Sequence, residues 1–113
     1  MNIQIFGKSK CFDTKKAERY FKERGIKYQL VDIIKYSLSK GEYQSVKSAV
    51  GGLEVLIDEK SKEYEACHVK YLASKDDIEA ALQENPGMFV TPIVRNGKKA
   101  TVGYKPETWA GWQ

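Results

Sequence analysis

The sequence predicts an α/β fold built on a four-stranded mixed sheet, with elements in the order β-α-β, helices, β-β-α, and three observations carry that prediction. Apolar and polar residues alternate near the N-terminus. An amphipathic helix and a second extended apolar run follow directly. Near the C-terminus, the dipeptide Asn96-Gly97 lies between two short strand-like runs, which is a strong hairpin signal.

Ile3 and Ile5 alternate with Asn2 and Gln4, so Asn2 to Phe6 reads as a strand that Gly7 ends. From Asp13 to Arg24, Ala17, Tyr20 and Phe21 recur at i, i+3 and i+4 among charges, and Gly25 stands where a left-handed C-terminal cap belongs. Lys27 to Ile33 carries Tyr28, Leu30, Val31 and Ile33, a strand that completes a βαβ unit with a right-handed crossover. Ser39 and Glu42 have capping-box spacing, and Tyr43, Val46 and Val50 follow at helical intervals until Gly51-Gly52 breaks the run. Leu53, Leu56 and Ile57 suit a second short helix. Ser74 and Asp77 repeat the capping logic ahead of Ile78, Ala81 and Leu82, and Asn85-Pro86-Gly87 ends that helix. Ile93 to Arg95 and Ala100 to Tyr104 read as strands joined through Asn96-Gly97, and Pro106 opens a terminal helix that reaches Trp109. With no repeat or linker, residues 1–113 are expected to form one domain carrying a helical insert at about 39–85.

Composition narrows the chemistry. The 113 residues are 42% hydrophobic, enough for one core, and the net charge of +4 suits a small anionic ligand. No dense basic stripe points to direct nucleic-acid binding. No apolar run approaches the roughly 20 residues that span a bilayer, and no leader pattern opens the chain, so a cytoplasmic monomer away from the membrane is expected. Cys11 and Cys67 are far apart and His68 is the single histidine, which argues against a disulfide scaffold, a bound metal or a serine-histidine-aspartate triad. Cysteine chemistry remains.

Cys11 falls between the first strand and the first helix, in Gly7-Lys8-Ser9-Lys10-Cys11-Phe12-Asp13-Thr14. A sulfur at a helix N-terminus meets unpaired backbone N–H groups and the positive end of the helix dipole, and Lys8 and Lys10 add positive potential. Thr14, one helical turn on, brings a hydroxyl to the same sulfur. These features favour the thiolate, the form that acts as a nucleophile. The competing interpretation is a small residue packed under the loop.

The element order with a cysteine after the first strand resembles the thioredoxin fold, and Thr91-Pro92 stands where that fold keeps a cis-proline. Over nearly its whole length the chain also resembles the arsenate reductase (ArsC)/Spx branch of glutaredoxin-like proteins. Cys11, Lys15-Lys16-Ala17 and Gly25-Ile26-Lys27-Tyr28 leading to Val31-Asp32 carry part of the match. Its most specific part is Glu84-Asn85-Pro86-Gly87, Thr91-Pro92-Ile93-Val94 and Val102-Gly103-Tyr104. The resemblance implies a nucleophilic Cys11, with Lys60, Thr91 and Pro92 at the substrate. Arsenate-reducing members hold the oxyanion with arginines, and here Lys60 and Thr91 take two of those positions. Lysine keeps the charge without the planar fork and threonine keeps neither, so a disulfide is expected as substrate in place of arsenate.

Spx-type regulators carry Cys-x-x-Cys, whereas Thr14 fills the second position here, so no local thiol resolves a mixed disulfide. No bound cofactor is expected. Glutathione or another low-molecular-weight thiol is the expected co-substrate. Cys67 is the internal alternative for resolution, and the sequence leaves its reach to Cys11 open. A second function, an Spx-like regulator docking on RNA polymerase, is implied by the position of Gly51-Gly52. His68 is expected to face solvent, as is the α-helical face carrying Lys15, Lys16, Arg19, Lys22 and Arg24 between Glu18 and Glu23. Trp109 and Trp112 are expected to pack the last helix on the sheet.

Overall fold

The computed structural model describes residues 1–112. Four strands form one sheet in the order β2-β1-β3-β4: β1 is Ile3–Gly7, β2 Tyr28–Asp32, β3 Ile93–Asn96 and β4 Lys99–Val102. β1 pairs parallel with β2 and antiparallel with β3, and β3 pairs antiparallel with β4. This is the thioredoxin-like arrangement expected from the order of elements.

Alternation along the strands feeds two cores, one on each face of the sheet. Ile3, Ile5 and Val94 pack against α1, which is Phe12–Glu23, and against Trp109 of α6, which is Pro106–Ala110. Phe6 and Ile93 point the other way, into the helices that run between β2 and β3. Trp109 is fully buried among Tyr20, Phe21 and Tyr104, and its indole N–H donates to Thr101 Oγ1 at 2.8 Å. A large ring is thus buried without orphaning its polar atom.

Local signals set most helix ends. α1 stops as foreseen: Gly25 adopts φ 67°, its N–H reaches Lys22 O and the Ile26 N–H reaches Phe21 O. In α3, Lys40–Val50, the Ser39 N–H donates to Glu42 Oε1 and the Glu42 N–H donates to Ser39 Oγ, a closed capping box. α5, Lys75–Glu84, begins with the Asp77 N–H donating to Ser74 Oγ. The Tyr43 hydroxyl and the Lys47 ammonium both donate to Glu79 Oε2, at 2.6 and 2.8 Å, and tie α3 to α5.

Several expectations shift. β2 gives up Ile33, because Asp32 accepts from the Ile34 N–H and starts a one-turn helix, α2, Ile33–Tyr36. Leu53–Leu56 forms a 3₁₀ helix without Ile57, which pairs instead with Phe89. α4, Lys62–Ala66, and a 3₁₀ turn at Val69–Tyr71 occupy a stretch with no expected element. The hairpin turn moves by one residue: pairing of Asn96 with Lys99 leaves Gly97-Lys98 as the loop, with Gly97 at φ 61° in the first central position. β4 ends at Val102, because Gly103 takes φ 85°. Among the described residues, no helix is long and apolar enough to cross a membrane.

Candidate functional site

β1 delivers the chain to a turn in which the Cys11 N–H donates to Lys8 O at 3.1 Å, and α1 starts from that turn. Cys11 is the N-cap residue, extended at φ −87° and ψ 119°. It lacks a side-chain cap bond, so the first-turn N–H groups of α1 are left to face its half-buried sulfur.

Burial would raise the Cys11 thiol pKa, and it is the largest single influence. Hydrogen bonds from the Thr14 and Thr91 side chains and from the Thr14 and Asp13 backbone together outweigh it, and hold the thiol below its ordinary value. The Thr14 side chain is buried, and its hydroxyl has no hydrogen-bond partner of ordinary geometry. The two observations agree if that hydroxyl engages the charged sulfur, since a stronger acceptor draws a hydrogen bond that a thiol does not. Gly7 makes room for this arrangement: a Cβ there would overlap the Thr14 methyl and stand 2.7 Å from its hydroxyl oxygen.

The other wall of the site comes from the far end of the sequence. The Thr91-Pro92 peptide is cis, and in its thiol form Cys11 Sγ lies 3.6 Å from Thr91 O. The segment entering Thr91 is held from two sides. The Asp58 N–H donates to Met88 O and the Val90 N–H to Leu56 O, both at 2.8 Å, while the Lys8 ammonium donates to Gly87 O and Phe89 O at 2.8 and 2.9 Å. Lys8 therefore ties the Cys11 turn to the proline segment.

The structure thus brings Cys11, Thr14, Thr91 and Pro92 together and ties Lys8 in beneath them. Lys10 is exposed beside the turn. Lys60 is also exposed, in a turn where its N–H donates to Asp58 Oδ1 ahead of α4. Cys67 caps the end of α4, half-buried against the core of the helical segment; both cysteines are free, and no contact joins them among the described residues. Two features went unread in the sequence. Phe12, next to Cys11, is 79% exposed with the Lys15 ammonium 5.9 Å from its ring centre. The carbonyl clamp of Lys8 joins residues about 80 positions apart and has no local signal.

The chain is similar to known proteins over nearly its whole length. A family model described as the ArsC family matches residues 6–112. The Global transcriptional regulator Spx 2 of Oceanobacillus iheyensis is 30% identical over 107 residues, covering 92% of this chain and 78% of that one. The Global transcriptional regulator Spx of Staphylococcus saprophyticus is 27% identical, covering 93% and 82%. Among solved structures, arsenate reductase from Vibrio cholerae superposes with a TM-score of 0.87 at 23% identity, covering 98% of this chain and 97% of that one. An arsenate reductase related protein from Brucella melitensis superposes with a TM-score of 0.62 at 22% identity, covering 99% and 94%. Those two likenesses establish the thioredoxin-like fold. Matched from β1 to the residues after α6, the chain belongs to the ArsC family.

Proposed function

We propose that the protein is a thiol–disulfide oxidoreductase with Cys11 as its nucleophile. One observation carries the reading: the half-buried sulfur of the residue at the N-cap of α1 lies beside the Thr91 backbone, so an extended disulfide substrate can present a sulfur while its main chain runs along that edge. The Cys11 thiolate attacks one sulfur of a disulfide, a Cys11 mixed disulfide forms, and the departing thiolate takes a proton from water. A low-molecular-weight thiolate then attacks the sulfur bound to Cys11 and frees the Cys11 thiolate; with a mixed disulfide of that same small thiol as substrate, the half taken from the substrate and one external thiol end as one disulfide, and the rest of the substrate leaves as a free thiol. Glutathione is the proposed co-substrate, in keeping with a reducing cytoplasm. The test is turnover of a glutathione mixed disulfide, with Cys11→Ser as control; substrate reduction that survives Cys11→Ser would overturn the reading.

A second reading has its own support, because the curated relatives named above are transcriptional regulators. In that reading the protein docks on RNA polymerase through the face made by α3 and β4, where a shallow hollow of about 480 Å³ is lined by Val50, Val55, Ala100 and Val102. Direct binding to purified RNA polymerase, lost with Val55→Glu and kept with Cys11→Ser, would favour it over the enzyme.

A further inference from the structure

α1 carries a second cluster of functional groups on the side away from its cap. Lys16, Arg19, Tyr20, Glu23 and Arg24 recur at i, i+3, i+4, i+7 and i+8 and so share one stripe of the helix. Facing them is the connection from β4 to α6, with Tyr104 and Pro106, and a cleft of about 430 Å³ lies between. Three cations and one carboxylate line it. Lys16 also meets Asp13 Oδ1 at 3.9 Å in an exposed ion pair, so Asp13 and Glu23 each offset part of the repulsion among these cations.

Aromatic rings fix where two of the cations sit. The Arg24 guanidinium lies 3.8 Å from the centre of the Tyr20 ring while its Nη1 donates to Tyr20 O, and the Lys16 ammonium lies 5.7 Å from the Tyr104 ring centre. Arg19 has no ion-pair or hydrogen-bond partner among the described residues. A buried polar group borders the cleft. Tyr20, which lines the cleft, is only 5% exposed and its hydroxyl is buried without any partner. A buried hydroxyl left unpaired is costly, and such groups call for an explanation.

We infer that this cleft binds the phosphate groups of a small molecule of about nucleotide size. Guanidinium forks match phosphate oxygens in pairs, and Lys16 adds a point charge beside them. A volume near 430 Å³ lies in the range of small-molecule sites. The inference is independent of Cys11 chemistry, because none of these residues touches the sulfur.

The test titrates the isotopically labelled full chain with pyrophosphate, ADP and adenosine while amide signals are followed by NMR. Pyrophosphate and ADP are expected to move signals at 16–24 and 104–106, and adenosine is expected to move none. Arg19→Glu, at an exposed position, should weaken binding of both by about tenfold or more, the equivalent of one charge-assisted hydrogen bond. Absence of shifts with both phosphate compounds at millimolar concentration, or binding that ignores Arg19→Glu, would overturn the inference.

Discussion

The Lys8 ammonium donates to the carbonyl oxygen of Phe89 at 2.9 Å, and the same nitrogen reaches Gly87 O at 2.8 Å. This pair of bonds closes the candidate site, because Lys8 precedes Cys11 in the turn and Phe89 precedes Thr91 in the opposing segment. A cation near the sulfur was the expectation from sequence. The structure adds a mechanical role, in which charge-assisted bonds hold two distant segments in register. Lys8→Met keeps the aliphatic stem and strands two part-buried carbonyls, so it should lower stability by about 2 kcal/mol. Urea unfolding measures this, and an unchanged midpoint would show that solvent satisfies those carbonyls equally well.

The depressed Cys11 pKa sets a pH dependence. The thiolate fraction at any given pH exceeds that of an ordinary thiol, so the rate of alkylation by iodoacetamide should reach half its plateau below the ordinary 9.0. Thr14→Val removes a lowering influence and should move that midpoint upward. For stability the sign is that of a lowered acid: the contribution is fully present above the unfolded thiol's pKa and is lost as pH falls through the folded one. Labelling at pH 7 should mark Cys11 ahead of Cys67, and the reverse order in the folded protein would displace Cys11 as the reactive thiol.

Gly7 is required by space. A Cβ at that position would collide with the Thr14 side chain, which is itself buried and fixed at the first turn of α1. Gly7→Ala should therefore cost roughly 1–3 kcal/mol, the usual range for overpacking, and should also raise the midpoint of Cys11 alkylation by displacing the Thr14 hydroxyl. Thermal unfolding and the alkylation profile read the two effects separately.

What could be read in the sequence follows from how local each determinant is. The capping box of Ser39 and Glu42 and the glycine cap at Gly25 involve residues a few positions apart, and both form as foreseen. Pro92 and Cys11 were legible as a pair only through the family resemblance. The hairpin shows the opposite case: Asn96-Gly97 marked the right place, yet the pairing of β3 with β4 puts Gly97-Lys98 in the loop. α4 lies inside the helical insert expected at about 39–85, but its bounds went unread because Lys62–Ala66 is one short turn with no buried residue, and the bridge from Ile57 to Phe89 that precedes it is a long-range feature. The Lys8 clamp is long-range in the same way.

The link between α3 and α5 makes its own prediction. Hydrogen bonds from Lys47 and then Tyr43 hold the Glu79 carboxyl below its ordinary value, while burial and then Glu79 push the Tyr43 hydroxyl up. The stability that Glu79 contributes is fully present above the unfolded carboxylate's pKa and lost as pH falls through the folded one. The Tyr43 contribution is present below the unfolded phenol's pKa and lost as pH rises through the folded one. Glu79→Gln should cost about 1–2 kcal/mol at neutral pH, with the difference from wild type shrinking in acid. A difference that stays constant into acid would mean that charge plays no part in the link.

The proposed substrate class turns on where the arginines are. The chain has only Arg19, Arg24 and Arg95. Arg19 and Arg24 line the α1 cleft, and Arg95 is engaged at the hairpin end of β3, donating to Gly97 O and Gln4 Oε1. None stands with Cys11. Two of the three donors of the Lys8 ammonium are already on carbonyls, and Lys60 is an exposed point charge. A tetrahedral oxyanion is held in line for attack by forked donors, and loss of orientation costs orders of magnitude in rate. A disulfide needs a sulfur poised to ionise and a backbone edge, and Cys11, held below the ordinary thiol value, lies beside the Thr91 backbone. Arsenate turnover should therefore be weak beside glutathione mixed-disulfide reduction, and Lys60→Arg should raise it from that low base. Thr91→Arg should raise it further, at a cost in stability because Thr91 is 9% exposed. Side-by-side turnover assays settle the order, and strong arsenate reduction by the unmodified chain without disulfide reduction would reverse it.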